Sequence, residues 1–483
     1  MNRMLASLLA GALSTVAAAD VIDDWNQLFL DGVRQSGGVY GPLAPVAPGP
    51  VSRNAAMMFT AMHDALNAVV KRYKTYAPMV PCPLETDATA AVAQAAHDVL
   101  VVAFPAVADA AGALLKAHLS SIPDGPGKES GIWLGTACAN GLHALRADDG
   151  SEFDPGYVPG ADPGDWQPTP PEFLEAWGPG WSAVTTWSIA SGSQFTPSGP
   201  AGFTSMSSFL ASAYYALQYE DAREYGDLFS TVRTADQTEI ALFWANDRDG
   251  TFKPPGHLLD ITQTVANDQG LEVVDKLRLF ALVAIGMADA GIAAWDAKYS
   301  TEIDLWRPIT GIRAGDLDGN PETVGDPKWI PLADDPFNPV HTPPFPAWVS
   351  GHATFGAVHA AVMRNFFGTD EISFTITSDD TPGVWRTYDR FSDAALENGR
   401  SRIYLGVHWQ VDADDGYQVG TAVGDWVSAF ELGLLGDLDG DGVVGPKDLG
   451  LLLAAFGQSG ATDLNDDGVT DAGDLGILLA NWR

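Results

Sequence analysis

Ser401–Gly416 reads SRIYLGVHWQVDADDG. It sets a fixed cation, Arg402, six residues before a titratable ring, His408, with an acid, Asp412, four residues further on. A four-residue step in a helix puts His408 and Asp412 on one face. There the carboxylate can hold the imidazole in a single tautomer and turn its other nitrogen to a guest. Leu405, Val407, Trp409 and Val411 fill the gaps, so charged groups stand in a stretch whose composition favours burial. Buried charges need partners. Alone, the stretch reads more readily as an ion-paired helix face, and other segments decide its meaning.

Two such segments exist. ADAGIAAWDAKYSTEIDLWRPITGIR holds Lys298 and Arg307, and HTPPFPAWVSGHATFG holds Ser350, Gly351 and His352. Pro308 restrains the backbone beside Arg307 and helps fix where that side chain points. The proline-rich run ending at Pro346 gives way to ATFGAVHAAVMRNFF, a clean helical pattern, so Ser350 and Gly351 sit at a helix start. Free N–H groups and the positive end of the helix dipole favour an oxyanion there, and Gly351 lets the backbone come close. Three fixed cations, two histidines, a hydroxyl and a helix start suit a tetrahedral oxyanion of the phosphate type. Each part alone has a plain structural reading: a surface turn, a helix cap, a charged helix face. Their combination carries the weight.

In that order the residues resemble the vanadium-dependent haloperoxidase and type 2 phosphatidic acid phosphatase superfamily. The matching signature is Lys298, Arg307-Pro308, Ser350-Gly351-His352, Ser401-Arg402, His408 and Asp412. WDAKY, LWRPITGIR, PPFPAWVSGHATFG and SRIYLGVHW favour the haloperoxidase branch, and FWAND, ending at Asp247, matches a stretch that places an acid near the site cations. The resemblance implies a mainly α, helical-bundle fold. It implies vanadate held covalently by His408 and neutralised by Lys298, Arg307, Ser350, Gly351, His352 and Arg402. His352, Lys298 and His408 would be catalytic, with His352 as acid–base and Lys298 polarising peroxide. Asp412 and Asp247 would orient, and Phe345 and Trp295 would line the halide pocket. Hydrogen peroxide would oxidise halide to hypohalous acid, which then meets a small organic acceptor. The alternatives are an acid phosphatase with His408 as nucleophile, and a non-catalytic surface or scaffold protein. Two departures from the family pattern stand out. The spacer between Lys298 and Arg307 is long, which bears on where Lys298 falls, and Val349 replaces the common proline before Ser350. His63, His257, His341 and His359 read as packed or capping residues.

The chain's 483 residues carry 62 acidic against 26 basic side chains, a formal charge of −36. That field repels nucleic acid and anionic membranes. Residues 1–19 read as a secretory signal peptide: Arg3, an apolar run from Met4 to Val16, then small residues at 17–19. No other stretch approaches the ~18 apolar residues that span a bilayer. The expected location is secreted, periplasmic or cell surface. Cys82 and Cys138 permit one disulfide in an exported chain, the alternative being two separate thiols.

Residues 20–433 read as one catalytic body, mostly helical. Helices are expected from Ser52 as a cap, and over 206–218, 235–246, 258–294, 351–367, 393–405 and 413–433. A Gly-, Pro- and Trp-rich segment at 149–205 reads as ordered loop.

Residues 436–483 change character. GDLDGDGVVGPKD and TDLNDDGVTDAGD repeat with a period of 26, each followed by a leucine-rich helix. Side-chain oxygens fall at loop positions 1, 3, 5 and 12: Asp437, Asp439, Asp441 and Asp448, then Asp463, Asn465, Asp467 and Asp474. Val443 and Val469 offer backbone carbonyls, and glycines occupy the turn position. Hard oxygens wrapped about one point suit calcium. The paired loops resemble a dockerin type I domain. That implies two calcium ions and a cohesin-like or surface-anchoring partner. A further copy of the chain, as a homo-oligomer, is also among the expected partners.

Overall fold

The apolar periodicity of the first half does produce helices, but backbone chemistry sets their ends. The computed structural model describes residues 15–37 and 47–482. Most of the expected leader, residues 1–14, lies outside the described residues, and 15–19 run into the helix Thr15–Gln35. The next helix is Pro48–Val70 and starts earlier than Ser52. Pro48 takes the first helical position, where its missing N–H costs nothing. Ser52 lies inside and donates to Gly49 O at 2.8 Å. The run expected over 258–294 is two helices, Lys253–Asp268 and Val273–Tyr299. Gly270, at φ 64°, turns the chain left-handed between them.

Val273–Tyr299 is long and apolar enough to cross a bilayer, contrary to the sequence expectation that no second stretch was. It is instead the central core helix, buried on nearly all sides. Pro48–Val70 packs on one side of it and Gly351–Phe367 on the other. Helices Ala88–Ala103 and Pro126–Leu145 complete the first bundle, while Phe391–Tyr404 and Gln410–Phe430 complete the second. Among the described residues, the sheet content is one antiparallel pair, Phe374–Ile376 with Arg386–Tyr388.

The closest approach in the second bundle is between Gly351–Phe367 and Gln410–Phe430. Gly416, Gly420 and Gly424 recur every fourth residue along the latter helix. A Cβ on Gly420 would lie 2.2 Å from Thr354 O, and one on Gly424 would lie 2.7 Å from the Ala361 methyl. Only glycine admits such contact. The consequence reaches the helix starts, where Ser350 N donates to Asp412 O at 2.8 Å.

The 149–205 segment is ordered by its aromatic residues and its backbone bonds. Trp177 N donates to Pro344 O and Trp166 N to Asp304 O, each at 2.8 Å. The Trp177 ring meets Trp295 edge-on, with centroids 5.5 Å apart. This buries Trp295, Trp306, Trp348, Trp409 and Phe345 in one aromatic layer under the segment. Both cysteines are free thiols, so the disulfide permitted by the sequence is not formed. Burial pushes the Cys138 thiol up to about 12.

The two repeats fold as loops ahead of the helices Pro446–Ala454 and Ala472–Ala480. Val444, Leu452, Leu464 and Leu478 form their small core, which Tyr73 of the first bundle joins. Leu435 N donates to Arg72 O at 3.0 Å and Asn481 Nδ2 to Lys71 O at 2.8 Å. The repeat unit is thus seated on the turn that follows Pro48–Val70.

Candidate active site

The ends of five helices, with the short loop that holds His408, bring the sequence-predicted residues into one buried cluster. Lys298, Arg307, Arg402, Ser350 and Asp412 have no measurable exposure, and His408 and His352 have almost none. Lys298 stands in the last turn of Val273–Tyr299, and Arg307 caps Pro308–Arg313. Ser350 caps Gly351–Phe367, its Oγ accepting from Ala353 N at 3.4 Å. Arg402 ends Phe391–Tyr404, and Asp412 lies in the first turn of Gln410–Phe430.

His408 is set by donors and acceptors of unambiguous kind. Its Nε2 lies 2.9 Å from Arg307 Nη1. Guanidinium only donates, so Nε2 is the lone-pair nitrogen and the proton is on Nδ1. That proton goes to Asp412 Oδ2 at 2.9 Å, an oxygen that also accepts Trp409 N–H. Burial, then Arg307, Lys298 and Arg402, hold the His408 pKa well below the usual histidine value. The ring is neutral, with its basic nitrogen facing the cations. Burial also lifts Asp412, to about 7, against the pull of Trp409 N–H, Lys298 and Arg307.

Arg402 pairs with Asp247 through Nη2 at 2.9 Å. Its Nε and Nη1 are buried and find no hydrogen-bond partner among the described residues. Unmet guanidinium N–H groups beside a helix start and a basic imidazole nitrogen fit a bound oxyanion. At Gly351 an added Cβ would meet only ring atoms, the nearest 3.7 Å away on Trp295, so the bare backbone keeps space there. The residues present therefore fit a vanadate- or phosphate-shaped guest. Lys298, Arg307 and Arg402 supply three positive charges against Asp247 and Asp412.

His352 places Nε2 3.0 Å from the carbonyl of Ala245. A carbonyl only accepts, so Nε2 carries the proton and Nδ1 the lone pair. Burial, with Arg402 adding to it, lowers His352 to about 4. The Phe345 and Trp295 rings meet at a tilt of 52° with centroids 5.0 Å apart, and the Arg307 guanidinium lies 4.9 Å from the Phe345 ring.

Lys298 is where the geometry departs from the sequence expectation. Its Nζ donates to the carbonyls of Pro346, Ala347 and Val349 at 2.7, 3.1 and 2.6 Å. Those three bonds use all three ammonium hydrogens. Burial and Arg307 lower its pKa and Asp412 opposes them; three accepting carbonyls call for the ammonium form.

Residues 278–436 match the family described as the VCPO second helical-bundle domain. Lys298, Arg307, Ser350, His352, Arg402, His408 and Asp412 all fall within that match. The vanadium chloroperoxidase of Curvularia inaequalis is 29% identical over 494 residues, covering 80% of this chain and 78% of that protein. A bacterial vanadium-dependent iodoperoxidase superposes with a TM-score of 0.71 at 23% identity, over 87% of this chain and 98% of that one. An apo-type bacterial vanadium-dependent chloroperoxidase gives 0.62 at 17%, over 82% and 96%. The vanadium haloperoxidase bundle is thus the fold shared with these structures, and the cluster around His408 is built from it.

Three contributors to the site went unread in the sequence. Asp415 accepts Trp348 Nε1–H at 2.8 Å and Ala201 N–H at 3.0 Å. The Ala245 carbonyl fixes His352, and Trp409 Nε1 donates to Trp306 O at 2.9 Å. Asp415 left one trace, as an acid three residues after Asp412 that stays on its face of the helix. The carbonyls left none. His341 is not among the cluster residues: it pairs with Glu172 at 3.5 Å and Asp334 at 4.0 Å.

In the repeats, Asp437, Asp439 and Asp441 bring carboxylate oxygens within 4.8 Å of one another. Asp448 and Asp474 turn inward instead. Each accepts three backbone N–H bonds, Asp448 from Leu438, Asp439 and Gly445, and Asp474 from Leu464, Asn465 and Asp471. They shape the loops and cap the helices that follow. Lys447 Nζ lies 3.2 Å from Asp439 and 3.6 Å from Asp441.

Proposed function

We propose that this protein is a secreted vanadate-dependent haloperoxidase that oxidises halide with hydrogen peroxide to hypohalous acid. The observation that carries the proposal is an unmet demand set beside a basic nitrogen in one buried cluster. Arg402 has two buried guanidinium nitrogens without partners among the described residues, and His408 turns its lone-pair nitrogen, Nε2, to the cations. The relatives named above are chloroperoxidases and an iodoperoxidase, which supports halide and peroxide as the substrates.

His408 would hold the vanadate through Nε2. Arg307 and Arg402 would neutralise its oxygens together with Ser350 and the Gly351 N–H. Vanadium held there supplies Lewis acidity toward peroxide. The protein's share is positioning and fixed charge. Asp412 keeps the proton of His408 on Nδ1. His352, neutral above about pH 4, offers Nδ1 as acceptor for a proton of incoming peroxide. Phe345 and Trp295 form an aromatic wall at the cations, suited to a poorly hydrated halide.

Bromination of a cyclic diketone by peroxide, with and without vanadate, tests this against hydrolysis of a phosphate monoester. Vanadate-dependent bromination is expected. Hydrolysis without halogenation would make the protein a phosphatase of the same fold, with His408 as nucleophile.

The proposal extends to export and to the repeats. Removal of residues 1–19 would leave a mature chain beginning at Asp20, which N-terminal sequencing of exported protein reads directly. The repeat loops would bind two calcium ions, with Asp437, Asp439 and Asp441, then Asp463, Asn465 and Asp467, as side-chain ligands. The Val443 and Val469 carbonyls would complete the shells, and the unit would attach the enzyme to a cohesin-like surface partner. Calorimetric titration of chelator-treated protein with calcium should show two sites. Absence of calcium binding would remove this part of the reading and leave the catalytic part untouched.

A further inference from the structure

Ala245 and Asp247 both reach the anion cluster, one through its carbonyl on His352 and the other through its carboxylate on Arg402. Asn246, between them, is buried and stands at φ 46°, a left-handed turn that asparagine tolerates better than most residues. Every polar atom of Asn246 is engaged. Its N–H donates to Asp380 Oδ2 at 2.5 Å, and its carbonyl accepts from Thr251 Oγ1 at 2.9 Å. Its amide oxygen accepts from Ser378 Oγ at 3.2 Å. Its amide nitrogen donates to Phe243 O at 3.3 Å and lies 3.0 Å from His257 Nδ1. His257 Nε2 lies 2.8 Å from Thr377 O. A carbonyl only accepts, so His257 carries its proton on Nε2, and Nδ1 takes the amide N–H of Asn246. Burial lowers His257 to about 4, so Nδ1 keeps its lone pair at neutral pH. The far end of the loop is tied at Phe252, whose N–H donates to Asp379 Oδ2 at 2.9 Å. Residues 377–380 open the connection between the strands Phe374–Ile376 and Arg386–Tyr388. The hairpin thus grips the 246–252 loop.

We infer that Asn246 and His257 are positioning residues: His257 fixes the Asn246 amide, and the Asn246 turn aims the Ala245 carbonyl at His352 and the Asp247 carboxylate at Arg402. One neutral histidine thereby sets the proton of another. Nε2–H on His257 leaves Nδ1 to hold Asn246, and Ala245 O then keeps the His352 proton on Nε2. His352 Nδ1 is left as the lone-pair nitrogen of the site. The use of that nitrogen toward peroxide rests on the reading above; the link from His257 to His352 does not.

Proton NMR of the full chain with nitrogen-15 in its histidines tests the link without any ligand. In the parent, the His352 ring N–H should give a protected signal on Nε2, which His352→Gln identifies by removing it. Asn246→Gly keeps the left-handed turn and removes the amide; His257→Leu removes the group that holds the amide. Each should speed solvent exchange of the His352 ring proton on the order of tenfold, the scale of a lost hydrogen bond. The His408 ring proton, held by Asp412, should exchange as in the parent, which separates a directed effect from general loosening. Unchanged His352 exchange in both variants would overturn the proposal, and so would equal acceleration at His352 and His408. Should both variants fail to fold, Ser378→Ala removes a single donor from Asn246 and should still speed the exchange roughly threefold, the low end for a neutral hydrogen bond. An unchanged rate there would overturn the proposal as well. At saturating vanadate, the variants that have lost the His352 signal should also lower kcat by about tenfold or more, as expected when an acid–base group is misplaced. Full kcat in such a variant would overturn the positioning role. If the parent does not halogenate, the haloperoxidase reading fails, and ring-proton exchange still decides whether His257 and Asn246 set His352.

Discussion

The Asp412 carboxylate lies 2.9 Å from His408 Nδ1 and fixes which ring nitrogen is basic. Asp412→Asn removes the fixed acceptor and lets the amide donate to Nδ1, which would move the proton to Nε2. The Ser350 N–H bond goes to the Asp412 main-chain oxygen, so it survives the change. Loss of such a supporting partner typically costs about 10–100-fold in metal affinity. Vanadate affinity of Asp412→Asn, measured by equilibrium dialysis, should fall by that order with the helix content unchanged.

Arg402 and Asp247 form a fully buried ion pair. Arg402→Ala strands an acid in the core, which costs about 3–5 kcal/mol. Removing Asp247 as well should recover much of that loss. Urea unfolding of the two single variants and the double variant measures the coupling, and only the variants lacking Arg402 should lose phosphate binding outright.

Gly420 permits the helix contact that brings Ser350 to Asp412. A methyl group there collides with Thr354 O, so Gly420→Ala must push the helices apart. Overpacking of this kind costs about 1–3 kcal/mol. The variant should unfold at lower urea and should also bind phosphate less well, although Gly420 is two turns away from the site.

Burial lowers His257 and His352 to about 4 and His359 to about 3. In the unfolded chain each takes up a proton near pH 6.5 that the folded chain refuses. The unfolded state therefore binds more protons, and stability falls as pH drops from about 6.5 toward 4. Asp289, raised to about 6, and Asp412 have the opposite sign. His359→Leu isolates one contribution. Between those pH values its stability should fall less steeply than the parent's, by up to ~1.4 kcal/mol per pH unit. Urea midpoints from pH 7.5 to 4.5 provide the measurement.

The sequence by itself determined the helical class, the aromatic richness of 149–205, and the residues that meet at the site. Helical periodicity and capping are local properties, and His408 and Asp412 are four residues apart. Local rules also carried most helix positions, failing where Pro48 and Gly270 reset the ends. What required the tertiary structure was direction. Lys298 lies within reach of the cluster, yet three carbonyls from a segment about fifty residues away take its hydrogens. No pattern in the sequence marks a carbonyl as an acceptor, since every residue has one. The same holds for Ala245 at His352. Asp415 needed Trp348 to be placed before its role could be seen. Whether two cysteines pair, and whether a long apolar helix is core or membrane span, likewise depend on what lies across the space between elements. The sequence chose the chemical groups. Packing chose which hydrogens of those groups remain for a guest.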